Sequence, residues 1–302
     1  MKNLLLLFII LLSGNVFAEK TYSKTYYKNG NLKAEGWIEN KEKTQYWKFY
    51  YQNGSIEKEG AFKTDLENGF WKFYYRNKNL EAHGHFLNGK RSGFWAYFFQ
   101  NKSKNKQGYF ENNLETGFWK TFFSNGKLQQ EGNYNQGIPN NYWKFYYNNG
   151  KLKKEGTFAN GKPIQYWKNY FDNGTLQSEG LFINGKENGF WKYYFNNGKK
   201  SKSGTFKLGL ETQYWMFYTK NGTKEKEGHF KNGKKIDWWL FYDENEKINH
   251  KCQLKNNLKN GYCLLYNKEE IIAASKYSEG KKIKTWTDIA TFKKENKLSD
   301  LK

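Results

Sequence analysis

The chain has 302 residues, a formal net charge of +22 and an aromatic content of 20%. So many aromatic residues exclude an intrinsically disordered chain, although the composition is polar on average. Lysine supplies nearly all of the positive charge, and the two arginines, Arg76 and Arg91, argue against a specific nucleic-acid reader, because such readers rely on bidentate arginine contacts to bases.

The first 18 residues, MKNLLLLFIILLSGNVFA, have the pattern of a secretory signal peptide. Lys2 provides the positive start, and Ala18 precedes a predicted cleavage site before Glu19. The apolar run is shorter than the roughly 20 residues that span a bilayer. We therefore expect export to the periplasm, the cell surface or the medium, with no transmembrane span after signal cleavage. An uncleaved N-terminal anchor is the alternative.

The rest of the chain is a repeat of 24 residues. Tryptophan recurs with this spacing and without insertion or deletion, and its structural positions are Trp47, Trp71, Trp95, Trp119, Trp143, Trp167, Trp191, Trp215 and Trp239. A fixed period in the range of 20–50 residues indicates a repeat architecture. The array covers residues 21–290 in about eleven units. Its first unit lacks the tryptophan, which is expected of a terminal repeat that has only one neighbour and caps the array.

Two Asn-Gly dipeptides occur in the repeat that begins near Trp143, at Asn149-Gly150 and Asn160-Gly161. Asn-Gly between short aromatic runs predicts a tight hairpin turn of type I′. Each repeat should therefore contain two strands and two turns. The fold class that follows is all-β, an elongated single sheet of antiparallel β-hairpins.

The first turn also predicts a register. With Asn149-Gly150 at its centre, Tyr147 faces Leu152, Lys144 faces Glu155, and the ring of Trp143 covers Gly156. The recurrence of this lysine–glutamate pairing favours a structural role for the two columns over a ligand site.

The pattern loosens in residues 237–290, which we interpret as degenerate C-terminal repeats that cap the array. Residues 291–302 are charged and poor in apolar side chains, so we predict a frayed tail. Cys252 and Cys263 flank one turn, and export permits a disulfide between them. A strict two-residue turn at Asn256-Asn257 would instead place Cys252 opposite Gly261, so the sequence leaves the bond open.

Catalytic and metal-binding patterns are not evident in the sequence. His83 and His85 form a His-x-His pair without a third ligand at a fixed spacing, and His83 occupies a glutamate position of the repeat. The glutamates recur with the period, whereas a catalytic carboxylate pair would be unique. We therefore expect no enzyme activity, no cofactor and no metal.

The consensus G-F-W-K-x-Y-Y-x-N-G-x-L-x-x-E-G-x-F-x-N-G-K, as it stands at Gly189–Gly204, resembles the bacterial variant of the MORN repeat. The resemblance covers about nine-tenths of the chain. It implies one antiparallel sheet of successive hairpins and a role in protein or membrane binding. Some proteins of this kind are regarded as antitoxins of the YwqK type, and others look like bacterial surface or host-interaction proteins.

These observations predict an exported, non-catalytic scaffold that binds a protein, a glycan or an anionic polymer or lipid of the cell envelope. We expect a monomer and no specific binding of nucleic acid. The alternatives are an antitoxin or immunity-type protein that sequesters a toxin, and an adhesin-like host-interaction protein. The candidate binding face consists of Tyr146, Tyr170, Tyr194, Tyr218, Lys144, Lys168 and Lys192.

Overall fold

A computed structural model describes residues 19–297 and Leu301. In these residues 23 strands form a single open antiparallel sheet of hairpin repeats, which confirms the predicted fold class. The predicted signal peptide, residues 1–18, lies outside the described residues.

The elements run in this order: β1 (Thr21–Tyr26), β2 (Leu32–Glu39), β3 (Glu42–Tyr50), β4 (Ile56–Lys63), β5 (Leu66–Tyr74), β6 (Leu80–Leu87), β7 (Lys90–Phe98), β8 (Lys104–Glu111), β9 (Leu114–Phe122), β10 (Leu128–Asn135), β11 (Ile138–Tyr146), β12 (Leu152–Ala159), β13 (Lys162–Tyr170), β14 (Leu176–Ile183), β15 (Lys186–Tyr194), β16 (Lys200–Lys207), β17 (Leu210–Tyr218), β18 (Lys224–Lys231), β19 (Lys234–Tyr242), β20 (Ile248–Lys255), β21 (Leu258–Asn267), β22 (Glu270–Ser278), β23 (Lys281–Trp286) and helix α1 (Ile289–Glu295).

The strands fall into two compact units. Of the described residues, the first unit contains residues 19–103 together with Phe110–Asn113, and the second contains Lys104–Tyr109 and the described residues from Leu114 onward. Within β1–β7 of the first unit, and within β9–β23 of the second, consecutive strands pair antiparallel, as β2 does with β3 and β11 with β12. The same repeat geometry occurs in both units.

The two turns of a repeat differ in geometry. At the second turn Asn160 and Gly161 both have positive φ, 49° and 73°, as a type I′ turn requires. At the first turn Gly150 has a left-handed φ of 91°, and its N–H donates to the carbonyl of Tyr147 at 2.8 Å. The turn thus spans Tyr147–Gly150, and the prediction of type I′ geometry is wrong there.

The different turn shifts one predicted pair. Tyr146, rather than Tyr147, is opposite Leu152, because left-handed Gly150 adds a residue to one side of the hairpin as a bulge. Further from the turn the predicted register holds, and Trp143 is opposite Gly156.

A second bulge lies two residues before each regular tryptophan. Gln165 has a φ of 59°, and the pairing of β12 with β13 shifts register between Glu155 and Thr157. Residues with short or flexible polar side chains, or glycine, hold this left-handed position throughout: Gln45, Gly69, Gly93, Gly117, Asn141, Gln165, Gly189, Gln213 and Asp237. The bulge turns the tryptophan that follows onto the preceding strand.

The core lies on the side of the sheet that carries Trp143 and its equivalents, which we call the indole face. Trp143 is 2% exposed. A Cβ placed on Gly132 would lie 2.2 Å from its ring, and the indole N–H donates to the carbonyl of Asn133 at 3.0 Å. The ring therefore covers Gly132 of the preceding strand, and the prediction that it covers Gly156 is wrong, because the bulge directs the side chain to the other neighbour.

Aromatic contacts join successive tryptophans along the indole face. The ring of Phe158 lies edge-on to Trp143 and Trp167, at centroid distances of 6.2 and 5.0 Å. Each such pair stabilises the fold by roughly 0.5–1.5 kcal/mol beyond the contribution of the buried area. The aromatic content of the sequence is thus accounted for by a core that is one layer of rings on one side of a sheet.

The C-terminal repeats close with a disulfide and a helix. Cys252 and Cys263 are bonded and face each other in the register of β20 and β21. They stand 24 residues after Gly228 and Trp239, so the disulfide takes the place of the next glycine–tryptophan contact. The strict two-residue turn does form, since Asn256 and Asn257 both have positive φ. The expectation that it would place Cys252 opposite Gly261 is wrong, because the register shifts between Cys252 and Leu254 and brings Cys252 opposite Cys263.

The predicted tail contains a helix, which corrects the expectation of a frayed end. Asp288 caps the N-terminus of α1 by accepting hydrogen bonds from the N–H groups of Ala290 and Thr291. Phe292 is 3% exposed and packs with Tyr262, Leu264, Ala274 and Trp286. One buried ring and an N-cap are enough to order a segment that otherwise looks charged.

Candidate functional site

The opposite side of the sheet carries the predicted binding residues, and we call it the tyrosine face. Strand alternation places Tyr166, Lys168 and Tyr170 there, on the side away from Trp167. Tyr146, Tyr170 and Tyr194 are half-buried.

The tyrosine hydroxyls of this face bond to the preceding repeat. Tyr170 donates to Glu155 at 2.8 Å, and Tyr146 and Tyr194 make the equivalent bonds to Glu131 and Glu179. Tyr218 instead contacts the Sδ of Met216 at 3.6 Å, because Ser203 stands in its glutamate position. These four rings therefore have structural bonds and are only partly available to a ligand.

The lysines alternate with the glutamates across the tyrosine face. Lys144 is a register neighbour of both Glu131 and Glu155, and Lys168 lies in the same way between Glu155 and Glu179. Lys192 forms an ion pair with Glu179 at 3.6 Å. The rows are therefore locally balanced in charge, despite the basic composition of the chain.

A row of more exposed rings was missed by the sequence reasoning. The aromatic residue directly before each tryptophan lies on the tyrosine face, where Tyr142, Tyr166, Phe190 and Tyr214 are 47%, 49%, 52% and 38% exposed. We call it the outer ring row. Its signal in the sequence was the alternation, since a residue next to a buried tryptophan on a strand must point away from the core. The rings recur every second strand, about 10 Å apart.

The hydroxyls of the outer ring row take part in the same network. Desolvation, followed by a hydrogen bond to Glu179, raises the pKa of Tyr166 to about 12. Desolvation and Glu155 likewise raise the pKa of Tyr142 to about 12 and that of Tyr170 still further. Glu155 and Glu179 thus each receive hydroxyls from two rings.

We expect the stability of the sheet to fall in alkaline solution. A tyrosine whose pKa is higher in the folded chain stabilises it fully below the unfolded value of about 10, and that contribution is lost as the pH rises through the folded value. Urea midpoints measured from pH 8 to 12 should fall above about pH 10. Tyr166→Phe with Tyr142→Phe should reduce the fall, and an equal fall in that variant would contradict the assignment.

The outer ring row ends beneath helix α1. Trp238 and Tyr262 are its next members by spacing, and Tyr262 is 5% exposed. Phe292 of the helix lies edge-on to Tyr262 at 5.8 Å, and the Tyr262 hydroxyl donates to Asn296 at 2.7 Å. The indole N–H of Trp238 donates to the carbonyl of Leu301 at 3.1 Å. At this end, a polypeptide segment of the chain itself occupies the tyrosine face.

The described part of the chain shows neither a metal cluster nor a membrane-spanning helix. Within residues 19–297 and Leu301, no group of three or more His, Cys, Asp or Glu side chains is placed to hold a metal ion. In the same residues, no helix is long and apolar enough to cross a membrane.

Solved structures offer only weak likenesses. A chain of the TcdB2-TccC3-Cdc42 complex is 11% identical over 85% of this chain and 17% of its own length, with a TM-score of 0.17. A chain of the Tc holotoxin pore of Photorhabdus luminescens is 8% identical over 87% of this chain and 18% of its own length, also with a TM-score of 0.17. This chain spans less than a fifth of either, and scores this low carry no weight for function.

No curated protein matches the sequence. The family comparison is informative, because five stretches match the MORN repeat variant: residues 19–36, 46–64, 115–136, 139–160 and 166–184. These stretches come from both units, and each coincides with strands of the hairpin array. Five repeats of the chain thus match the MORN repeat variant, and the single sheet of hairpins is consistent with that family.

Proposed function

We propose that the chain is an exported, non-catalytic repeat scaffold that binds an extended segment of a partner protein on its tyrosine face. The MORN-type repeats support the scaffold role. The pattern of residues 1–18 supports export to the periplasm, the cell surface or the medium. We propose in addition that the protein acts as a monomer.

The proposal rests on one observation: helix α1 covers the C-terminal end of the outer ring row. Exposure falls from 49% at Tyr166 to 5% at Tyr262, where Phe292 and Asn296 of the helix contact the ring. The other rings of the row present the same chemistry without this cover. Aromatic rings with a polar tip favour protein interfaces, since they bury a large area at a small entropic cost.

A polypeptide partner fits this face better than an anionic surface. Lys144 and Lys168 each have two glutamates beside them in the register, so the face does not present an uninterrupted positive field. A glycan or an anionic polymer remains an outcome of the test below. The antitoxin hypothesis and the adhesin hypothesis differ from this proposal in the partner's identity, and nothing in the contacts favours either.

The test is capture from the native cell envelope with the mature chain, Glu19–Lys302, at low and high salt. The variant combines Tyr142→Ser, Tyr166→Ser and Phe190→Ser. Its matched control combines Ile138→Ser, Ile183→Ser and Leu210→Ser, which removes side chains of 48%, 43% and 48% exposure from the second turns. Circular dichroism should show an intact sheet in both.

We expect a protein that the wild type and the control retain at high salt and that the ring variant loses. Equal capture by all three chains would contradict a binding role for the outer ring row. Capture of lipid or polysaccharide that is lost at high salt would show instead that the lysines bind an anionic surface, since screening weakens such attraction.

A further inference from the structure

In five repeats a lysine ammonium group covers aromatic rings of the indole face, at Lys58, Lys106, Lys154, Lys202 and Lys226. The Nζ of Lys58 lies 4.9 Å from the ring centroid of Phe49 and 5.4 Å from that of Trp71. Lys154 lies 4.5 Å from Phe145. Each is a cation–π contact, and the position recurs with the 24-residue period.

Lys202 shows the same arrangement in the second unit. Its Nζ lies 4.6 Å from the ring of Tyr193 and 5.3 Å from that of Trp215. The chain thus shows repeatedly which chemical group this place over two neighbouring rings accepts, namely an alkylammonium on a flexible aliphatic stem.

Ala82 holds this position in the third repeat, that of Trp71, and its side chain ends at a methyl group. Ala82 is 4% exposed and forms the floor of a cavity of about 320 Å³. The walls include Phe73, Phe86 and Trp95, and the rings of Phe73 and Trp95 are 6.0 Å apart. Exposed Arg91 lies at the rim, so the cavity opens to solvent. It has the ring geometry of the lysine-covered positions without the lysine.

The charged groups at the cavity also suit a cation. The carboxylates of Glu67 and Glu81 line it, together with the guanidinium of Arg91. Arg91 lies over the rings of Trp95 and Phe110, at 5.4 and 5.3 Å, which leaves the ring of Phe73 as the principal aromatic surface for a ligand. Glu67 already pairs with Lys58 at 3.9 Å, which shows that it can hold an ammonium group from this side.

We propose that the cavity over Ala82 binds an alkylammonium group, carried by a free amine or by a lysine side chain of another protein. The site lies on the indole face, so it is independent of the binding surface proposed above. A ligand ammonium would lie over the ring of Phe73, as the ammonium groups of Lys58 and Lys154 lie over the equivalent rings of Phe49 and Phe145.

The probe is n-butylammonium chloride, with 1-butanol as the uncharged control of similar size and sodium chloride to hold ionic strength constant. Methyl NMR of alanine-labelled Glu19–Lys302 should show a saturable shift of the Ala82 methyl resonance with the amine. The shift with 1-butanol should need at least a tenfold higher concentration. The methyl group of Ala159, which lies in the other unit, serves as the internal reference.

Two substitutions exchange the occupied and open positions. Ala82→Lys supplies the residue found at equivalent positions, so we expect it to fold normally and to weaken amine binding at least tenfold in ligand-observed NMR. Lys202→Ala opens the matched position over Tyr193 and Trp215, and we expect it to create a second amine site.

A peptide with a single lysine, acetyl-Gly-Lys-Gly-amide, distinguishes the two sources. Binding of the peptide at least as tight as that of butylammonium would identify a protein lysine as the ligand, and binding of butylammonium alone would identify a free amine. The proposal is overturned if neither probe shifts the Ala82 methyl resonance, if 1-butanol binds as well as the amine, or if Ala82→Lys binds the amine as the wild type does.

Discussion

Replacement of Trp167 by alanine is expected to lower the free energy of unfolding by about 3–5 kcal/mol, the range for loss of a buried aromatic side chain. Trp167 is 3% exposed and stands over Gly156, which has no side chain to fill the space that the ring leaves. The carbonyl of Thr157 would also lose the indole N–H that now lies 3.1 Å away. The cost therefore combines a cavity, lost ring contacts and an unpaired carbonyl.

Tyr166→Ala is the matched control, because the two residues are adjacent on β13 but point to opposite faces. Tyr166 is 49% exposed, so its loss should cost much less, about 1 kcal/mol or below. Urea unfolding followed by far-ultraviolet circular dichroism measures both changes. Equal destabilisation by the two substitutions would show that the indole face is not the dominant core.

Replacement of both cysteines by serine should cost about 2–4 kcal/mol in the stability of the C-terminal repeats, as expected for a disulfide that closes a short loop. The bond joins residues 11 apart in sequence and stands where the period would place a glycine beneath a tryptophan. Protection of the amides of β20 and β21 from hydrogen exchange should fall in Cys252→Ser/Cys263→Ser, while that of β11–β13 should change little, since repeats interact mainly with their neighbours.

A second variant tests the equivalence of the two kinds of contact. Cys252→Gly with Cys263→Trp restores the pair found in the preceding repeats, and we expect it to protect β20 and β21 better than the serine variant does. The bulge that this needs is already present, because Gly261 has a φ of 107°. If the Gly–Trp variant were less stable than the serine variant, the disulfide would not be a substitute for the ring contact.

The sequence was sufficient for the period, the strands, the second turn and most of the hairpin register. It could not say which glycine a tryptophan covers, because Trp143 is 11 residues from Gly132 and 13 from Gly156, and both are cross-strand neighbours. The choice depends on the left-handed residue at Asn141. A column of glycine, asparagine, glutamine and aspartate two residues before each tryptophan was the available signal, since these residues tolerate positive φ better than β-branched ones.

The candidate binding residues were predicted less well, for a related reason. Tyr170 and Tyr166 are both aromatic and both lie on the tyrosine face, so composition alone does not rank them. The structure separates them by exposure. Tyr166 is the more exposed ring, whereas Tyr170 is half-buried and its hydroxyl donates a hydrogen bond to Glu155. Helix α1 was missed because a single buried ring, Phe292, carries most of its packing.

The overlap of each tryptophan with the preceding repeat makes the two directions along the chain unequal. If the repeats after Gly180 are removed, the remaining part of the chain ends in a strand with an uncovered glycine, and no indole is uncovered. Removal from the N-terminal side leaves a large ring, such as Trp191, without the glycine beneath it and without the carbonyl of Leu181 that accepts its N–H at 3.1 Å. An array of this kind has a polarity like that of a filament. Over evolutionary time it should gain and lose whole repeats more easily at its C-terminal end than at its N-terminal end.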